Sequence, residues 1–258
     1  MCNGCKQSYQ DNNGALVFNH MDKSDIADGL DKIKFVFKKY PKLYDILTKV
    51  VGPVYFDIQI NKFIRTYIKD RDIIAVNFGS GTNDLSSDIS NADIFAYKNV
   101  DLVCDISNIP IRDNTVDVII NLGVLEHVPD PGMIVEEFNS LLKPGGKIYC
   151  YFPFIVGFHA SPHDYSRRTL EGMKELFRDF EIDSLSIAGG PTSAMLWIIQ
   201  EWVSMVLSFG SPKLQRILYI LLMLVTFPVK FLDILFKYYP TAKNISSGFS
   251  LVATKKEL

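Results

Sequence analysis

The chain has 258 residues, 27 of them basic and 29 acidic, for a net charge of −2. That length supports one full α/β core with additions rather than two equal domains. The near-balance of charge supplies no broad field for a phosphate backbone, so nucleic acid is not expected as a partner.

In chain order, Met1-Cys2-Asn3-Gly4-Cys5 lacks the basic-then-apolar order of a signal peptide. Residues 1–30 are polar and aperiodic and read as a tail. Cys2 and Cys5 form a single C-x-x-C pair, short of the four ligands that structural zinc needs, so no metal is expected there. Cys104 and Cys150 sit inside apolar runs and are expected to pack as small hydrophobes. Four reduced thiols fit a cytoplasmic location. Residues 31–70 turn helical, with Phe35, Tyr44, Ile46, Leu47, Val50 and Val51 before Gly52-Pro53, and a second stretch from Phe56 to Ile68.

A core follows over residues 71–190. Its predicted elements are strand 72–78, a short helix at 83–89, strands 92–96, 101–104 and 116–121, helix 131–142, strand 146–152, helix 169–180 and strand 181–187. The short β-branched runs suit strands buried on both faces of a mostly parallel sheet with helices on each side. Residues 244–258 carry the last strand: Ser247 to Thr254 alternates as an antiparallel edge would.

Between those last two strands, residues 191–243 form an apolar helical insertion. Ala194 to Phe209 and Leu214 to Tyr239 are separated by Gly210-Ser211-Pro212. The longest uncharged stretch, Ile217 to Val229, falls short of the ~20 residues of a spanning helix. Length therefore favours a hairpin in one leaflet's interface, with Trp197, Trp202, Lys213, Arg216, Lys230 and Lys237 as anchors. A buried lid, a dimer surface and a true span are the alternatives.

The chemistry gathers where the strands end. Gly79-Ser80-Gly81 permits a tight turn and a close approach of bare backbone to an anionic group, with the amides of the following helix aimed at it. The third glycine of a dinucleotide fingerprint is absent, which counts against a nucleotide-dependent oxidoreductase. Asp93, 14 residues after Gly79, is placed to accept both hydroxyls of a ribose. Asp105 could hold an adenine amino group or cap the turn at Ser107-Asn108. Glu126-His127 reads as a loop anchor, with His127 as a base the lesser reading. Lys143-Pro144-Gly145-Gly146 is a helix stop. Candidate catalytic groups lie in the stretch Phe158 to Thr169: His163 with Asp164 beside it, or His159, could take a proton from an acceptor. A polar loop bonding its own backbone is the competing reading. Thr169 is a helix N-cap.

The set N-F-G-S-G-T-N, N-A-D-I-F, D-I-S-N-I-P-I-R-D-N-T-V-D, G-V-L-E-H-V-P-D-P and L-L-K-P-G-G-K-I resembles the S-adenosylmethionine-dependent methyltransferases of Rossmann-like fold, and within them the broad branch related to ubiquinone and menaquinone biosynthesis. Coverage is about residues 70–187 and 247–255. The resemblance implies a mostly parallel seven-stranded α/β sheet and S-adenosylmethionine as cofactor. It implies that Gly79, Ser80 and Gly81 receive the methionine portion, Asp93 the ribose, and Asp105 with Ile106 the adenine. Asn121 and Leu122 would lie beneath the methionine and the transferred methyl. Asn77 stands where the family often has an acidic residue, and Asn83 replaces the usual third glycine. The expected function is O-methylation of an amphiphilic, glycan or lipid-linked acceptor near a membrane, with the chain cytoplasmic and peripheral on the inner face. A non-catalytic, membrane-attached binding module of the same fold is the rival that Asn77 keeps open.

Overall fold

The fold was analysed in a computed structural model that describes residues 10–12, 14–18, 56–159 and 163–257. The helix expected between Ile33 and Val51 and the Cys2/Cys5 pair lie outside the described residues.

A single sheet organises the chain. Its strands are β1 (Gln10–Asn12), β2 (Ala15–Val17), β3 (Ala75–Phe78), β4 (Ser90–Asp93), β5 (Leu102–Val103), β6 (Val116–Leu122), β7 (Leu142–Pro153), β8 (Phe180–Gly189) and β9 (Gly248–Lys255). Among the described residues they lie in the order β1-β2-β5-β4-β3-β6-β7-β9-β8. The seven strands β3 to β9 form the expected mostly parallel sheet, with β9 alone running antiparallel to its two neighbours. The chain moves outward from β3 through β4 to β5, then returns to β6 on the other side of β3. That reversal leaves a crevice between the carboxyl ends of β3 and β6, where such sheets bind ligands.

The central strands β3, β6 and β7 bury both faces, and the helices divide them. Val76, Phe78, Val116, Ile119 and Ile148 pack with Phe138, Leu141 and Met173. These helical residues belong to α2 (Pro131–Leu141) and α3 (Leu170–Leu176). On the opposite face Ala75, Val118, Ile120 and Tyr149 pack with Ile60, Phe63, Ile64 and Ile68, carried by or just beyond α1 (Phe56–Tyr67). The continuous apolar runs follow from this two-sided burial. Local chemistry sets the helix starts. Asp130 accepts from the amides of Gly132 and Met133 with Pro131 at the first helical position, and Thr169 accepts from Gly172 as expected of a cap. Cys104 and Cys150 are buried free thiols, as their apolar surroundings predict.

Three expectations need correction. Residues 10–12 and 14–18 are not tail: β1 and β2 form a hairpin whose Leu16 and Val17 pair with Leu102 and Val103 of β5. Gly14, at φ +94°, makes its turn. The helix expected at 83–89 does not form. There Ser86 Oγ accepts from the amide of Asp88, a local bond that competes with helical pairing. Finally, β9 is no edge. It lies between β7 and β8, and β8 closes the sheet.

The insertion is helical, as predicted. It comprises α4 (Pro191–Leu207), α5 (Pro212–Thr226), a 3-10 turn at Phe227–Leu232 and α6 (Asp233–Phe236). Phe209 at φ +49° and Gly210 at φ +82° make the turn between α4 and α5. The base of the hairpin is fastened by Asp233, fully buried, whose carboxylate accepts from the amides of Thr192 and Ser193 and from the Ser193 hydroxyl. It caps α4 from outside that helix, satisfying amides that have no partner within it.

Candidate functional site

The crevice is built from three loops. After β3, Gly79 and Gly81 adopt φ of +73° and +57°, the left-handed region that glycine occupies at no steric cost. The loop is then tied to β4. The Gly79 and Ser80 amides donate to Ala92 O at 2.8 and 3.1 Å. The Gly81 amide donates to Asp93 Oδ2 at 2.8 Å, and Asp93 Oδ1 accepts from Phe95 N at 2.9 Å. Asn99 closes the far side by donating to the carbonyls of Gly81 and Asn83. Asp93 therefore faces the glycine loop. A Cβ built on Gly81 meets nothing within 4 Å, so the loop is open there. One built on Gly79 lies 2.2 Å from Val124 Cγ2, so Gly79 seats the loop that follows β6.

Asn77 and Asn121 are buried at the ends of β3 and β6. Asn77 Nδ2 donates to Asn91 Oδ1 at 3.1 Å, across the β3–β4 register, and Asn121 Nδ2 donates to Phe78 O at 3.2 Å. The amide at position 77 thus has a partner of its own kind on the neighbouring strand. Their remaining oxygens, Asn77 Oδ1 and Asn121 Oδ1, and the Ser80 hydroxyl are buried without a partner among the described residues. Most buried side-chain polar atoms of native proteins have a partner, so three orphans gathered around one glycine loop fit a polar ligand. Asn83 is not among the described residues with positive φ, which removes the need for a third glycine. Leu122 is half-buried against the α1 side of the sheet.

Asp105 takes the capping alternative: its Oδ1 accepts from the Ser107 amide at 2.8 Å and the Ser107 hydroxyl at 2.7 Å. Ile106 beside it packs against the core. Desolvation first, then the carboxylates of Asp105 and Asp93, push the intervening Cys104 thiol up to about 12.

The third loop, after β7, brings the catalytic candidates together differently from the sequence order. Asp164 does not serve His163. Its carboxylate is bound by both terminal nitrogens of Arg167 and accepts from the His159 amide at 2.9 Å. The Arg167 guanidinium, with the His159 amide, outweighs burial and lowers the Asp164 pKa, so this carboxylate is a fixed anion. The exposed His163 offers its backbone carbonyl to His127 Nδ1. His159 turns inward: its Nε2 lies 3.8 Å from Glu126 Oε1, and His127 Nε2 lies 3.8 Å from the same oxygen. His127 is the expected loop anchor, yet it also faces this cluster. The loop-anchor reading of Glu126-His127 did not place Glu126, 2% exposed, in this cluster. Its adjacency to His127 was visible, but its burial depends on the β7 loop folding back, fixed where the Tyr165 amide donates to Glu126 O at 2.8 Å. Glu126 sits close to the end of β6, since a Cβ on Gly123 would come within 3.2 Å of its Oε1.

Comparison with known proteins bears on this crevice. Residues 72–150, which carry the glycine loop, Asp93, Asp105, Asn121 and Glu126, match the methyltransferase-domain family. Residues 72–150 thus carry a methyltransferase domain. The domain is similar to a demethylmenaquinone methyltransferase of Geobacillus sp. (38% identity over 74 residues, 27% of this chain and 31% of that enzyme). It is also similar to a ubiquinone biosynthesis O-methyltransferase of Nitrosococcus oceani (58% over 33 residues, 13% of this chain and 14% of that enzyme). These matches span about a third or less of the curated relatives' lengths. Among solved structures, phosphoethanolamine N-methyltransferase 2 of Haemonchus contortus with S-adenosylmethionine superposes at TM-score 0.47 and 15% identity, covering 77% of this chain and 53% of that one. The methyltransferase domain's cofactor is S-adenosylmethionine, and the residues present fit it. The open loop at Gly81, the Asp93 carboxylate and the unpartnered Asn77 Oδ1, Asn121 Oδ1 and Ser80 Oγ are the groups that would hold its amino-acid and ribose portions.

Proposed function

We propose that the protein methylates a hydroxyl of an amphiphilic, lipid-linked acceptor at a membrane surface. S-adenosylmethionine supplies an electrophilic methyl group, so the protein's part is alignment and proton removal. Asp93 and the Gly79–Gly81 loop hold the donor. Glu126, His127 and His159, at the end of β6, stand where an acceptor hydroxyl could lose its proton. Glu126 would stabilise the imidazolium that results.

The observation that carries the membrane part is the exposure of the insertion. Pro212–Phe236 is a continuous 25-residue helical run, long enough to cross a membrane, whose most apolar window of 18 residues has a mean hydropathy of 2.1 and is 11% buried. Outward-facing Ile198, Trp202, Leu221, Val225 and Leu235, with Phe209 at the tip, leave both helices apolar toward solvent. A patch of this size marks an interaction surface. The run is not free to leave the domain, since Asp233 is buried as the cap of α4 and Gln200 donates to Thr226. That fastening favours a hairpin lying in the interface. Charge agrees: Lys213, Arg216, Lys237 and Lys243 reach solvent, while the acids of the segment are the buried Asp233 and the half-buried Glu201. Burial raises the Glu201 pKa. The partner chemistry is therefore an anionic bilayer. Relatives named for menaquinone and ubiquinone biosynthesis add support for an acceptor that resides in membranes.

The test pairs flotation with label transfer. Full-length protein should float with vesicles containing anionic lipid and remain behind with zwitterionic ones. Leu221→Glu with Val225→Glu, both on the exposed face, should abolish flotation without lowering Tm. Radiolabelled cofactor incubated with lipid extract, glycan-lipid fraction or soluble extract should label a lipid-phase product. Label confined to the soluble fraction would refute the acceptor class; flotation unaffected by the two glutamates would refute the docking surface.

A further inference from the structure

We infer that Glu126, His127 and His159 form a binding site for one divalent first-row cation. One ligating atom from each of the three lies within 4.8 Å of the others. The positions of the ring protons decide which nitrogens can ligate. His127 Nδ1 faces the carbonyl of His163, an acceptor, so the proton of a neutral ring is on Nδ1 and the lone pair on Nε2. For His159, Nδ1 lies 3.1 Å from Gly157 O and 3.2 Å from Arg167 Nη2. The two hydrogens of that Nη2 are already committed, to Asp164 Oδ2 at 2.6 Å and Gly157 O at 3.3 Å. The His159 proton is therefore on Nδ1, donated to Gly157 O, and its lone pair is also on Nε2.

In the neutral rings both Nε2 atoms then carry lone pairs 3.8 Å from the same carboxylate oxygen. Three electron-pair donors converging in a half-buried pocket repel one another unless a cation sits among them. Glu126 Oε2 is also buried and without a partner among the described residues. Two imidazoles and a carboxylate are the protein ligands of catalytic zinc and of facial non-haem iron sites, which keep positions open. Ligands about 2.1 Å from a metal stand about 3.4 Å apart in a tetrahedron. The two Nε2–Oε1 separations need to shrink by only a few tenths of an ångström. The backbone carbonyls of His163 and Gly157 act as the orienting partners that ligating histidines customarily have. Arg167 would oppose a cation nearby, but its charge is neutralised by the bidentate Asp164. A bound cation would occupy the lone pairs that the proton transfer proposed above uses, and would in their place lower the pKa of an acceptor hydroxyl at one of its open positions; the site does not depend on that acceptor being the one proposed above.

The test uses full-length protein carrying Cys2→Ser and Cys5→Ser, so that the N-terminal thiols cannot bind metal. Zinc, cobalt(II) and manganese(II) are titrated by calorimetry, with cobalt absorption as a check on nitrogen and oxygen ligation. One equivalent should bind and raise Tm by about 5–10 °C at a hundredfold excess over Kd. Glu126→Gln and His159→Asn should each weaken binding at least about 100-fold. His163→Ala, which keeps the carbonyl, should not. Retained binding of S-adenosylhomocysteine by the variants shows that they are folded. Absence of binding to the parent, or unchanged affinity in Glu126→Gln, overturns the assignment.

Discussion

Gly79 and Gly81 both need left-handed backbone, but they differ in what surrounds them, and that difference is measurable. An alanine at either position pays the left-handed conformational cost of about 1–2 kcal/mol. At Gly81 nothing else opposes it, because no atom lies within 4 Å of the new Cβ. At Gly79 the Cβ would stand 2.2 Å from Val124 Cγ2, 3.0 Å from Cγ1 and 3.1 Å from Cβ. Carbon contacts are comfortable at about 3.5–4.0 Å, so the backbone of one loop must move, at an overpacking cost of about 1–3 kcal/mol. Gly79→Ala should therefore cost about 2–5 kcal/mol in urea unfolding and Gly81→Ala about 1–2 kcal/mol. Val124→Ala should restore part of the loss in the Gly79→Ala background, giving a coupling energy of about 1–3 kcal/mol in a double-mutant cycle. The steric share alone should be rescued, since Val124 has no bearing on φ. Equal costs at the two glycines, or additive effects of Gly79→Ala and Val124→Ala, would show that the two loops are not packed as described.

Three further outcomes follow from single contacts. Asp93→Asn removes the charge that accepts from Gly81 and is expected to weaken S-adenosylhomocysteine binding about 10–100-fold by calorimetry; an unchanged Kd would detach Asp93 from the cofactor. Asp233→Ala strands three buried donors at the start of α4 and should cost about 2–4 kcal/mol, followed by the fluorescence of Trp197 and Trp202 on that helix; a loss under about 1 kcal/mol would mean water replaces the cap. The Cys104 thiol has an unperturbed value of 9.0 and a folded value near 12. Between these pH values the unfolded chain binds fewer protons, so stability is full below about 9 and falls as pH rises toward 12. Cys104→Ala should flatten that decline, and an identical slope would place the titration elsewhere.

The parts of the fold that were legible in the sequence are those governed by local chemistry. Thr169 and Asp130 cap because their side chains reach amides two or three residues on. The core strands are apolar because both faces are covered. The order of the last strands was misread, although a signal existed: β8 alternates Glu181, Asp183, Ser184 and Ser186 with apolar residues, the pattern of an exposed edge. β9 is buried through its first four residues. The helix at 83–89 was lost to side chain–backbone bonds at Ser86 and Asp88, which compete at the scale of single hydrogen bonds and leave no periodic trace. Hairpin β1–β2 is two short strands whose pairing with β5 spans more than eighty positions, and nothing local announces it.

The site divides the same way. Gly79, Gly81 and Asp93 meet through one short β3–β4 connection, so their spacing already places them together. Glu126, His127 and His159 meet only because the β7 loop returns across the end of β6, and the insertion is bound into that return. Trp197 of α4 lies on Gly157 so closely that a Cβ there would meet its Nε1 at 2.4 Å, and its ring is 5.7 Å from that of His159. Position 157, two residues before His159, is thus a glycine because an indole occupies the space. α4 is held at its start by Asp233 and along its length by this contact, while its outer face is apolar. A surface that fixes the outer face of α4 also fixes the loop carrying His159, which gives the apolar insertion a reason to sit where it does in the chain.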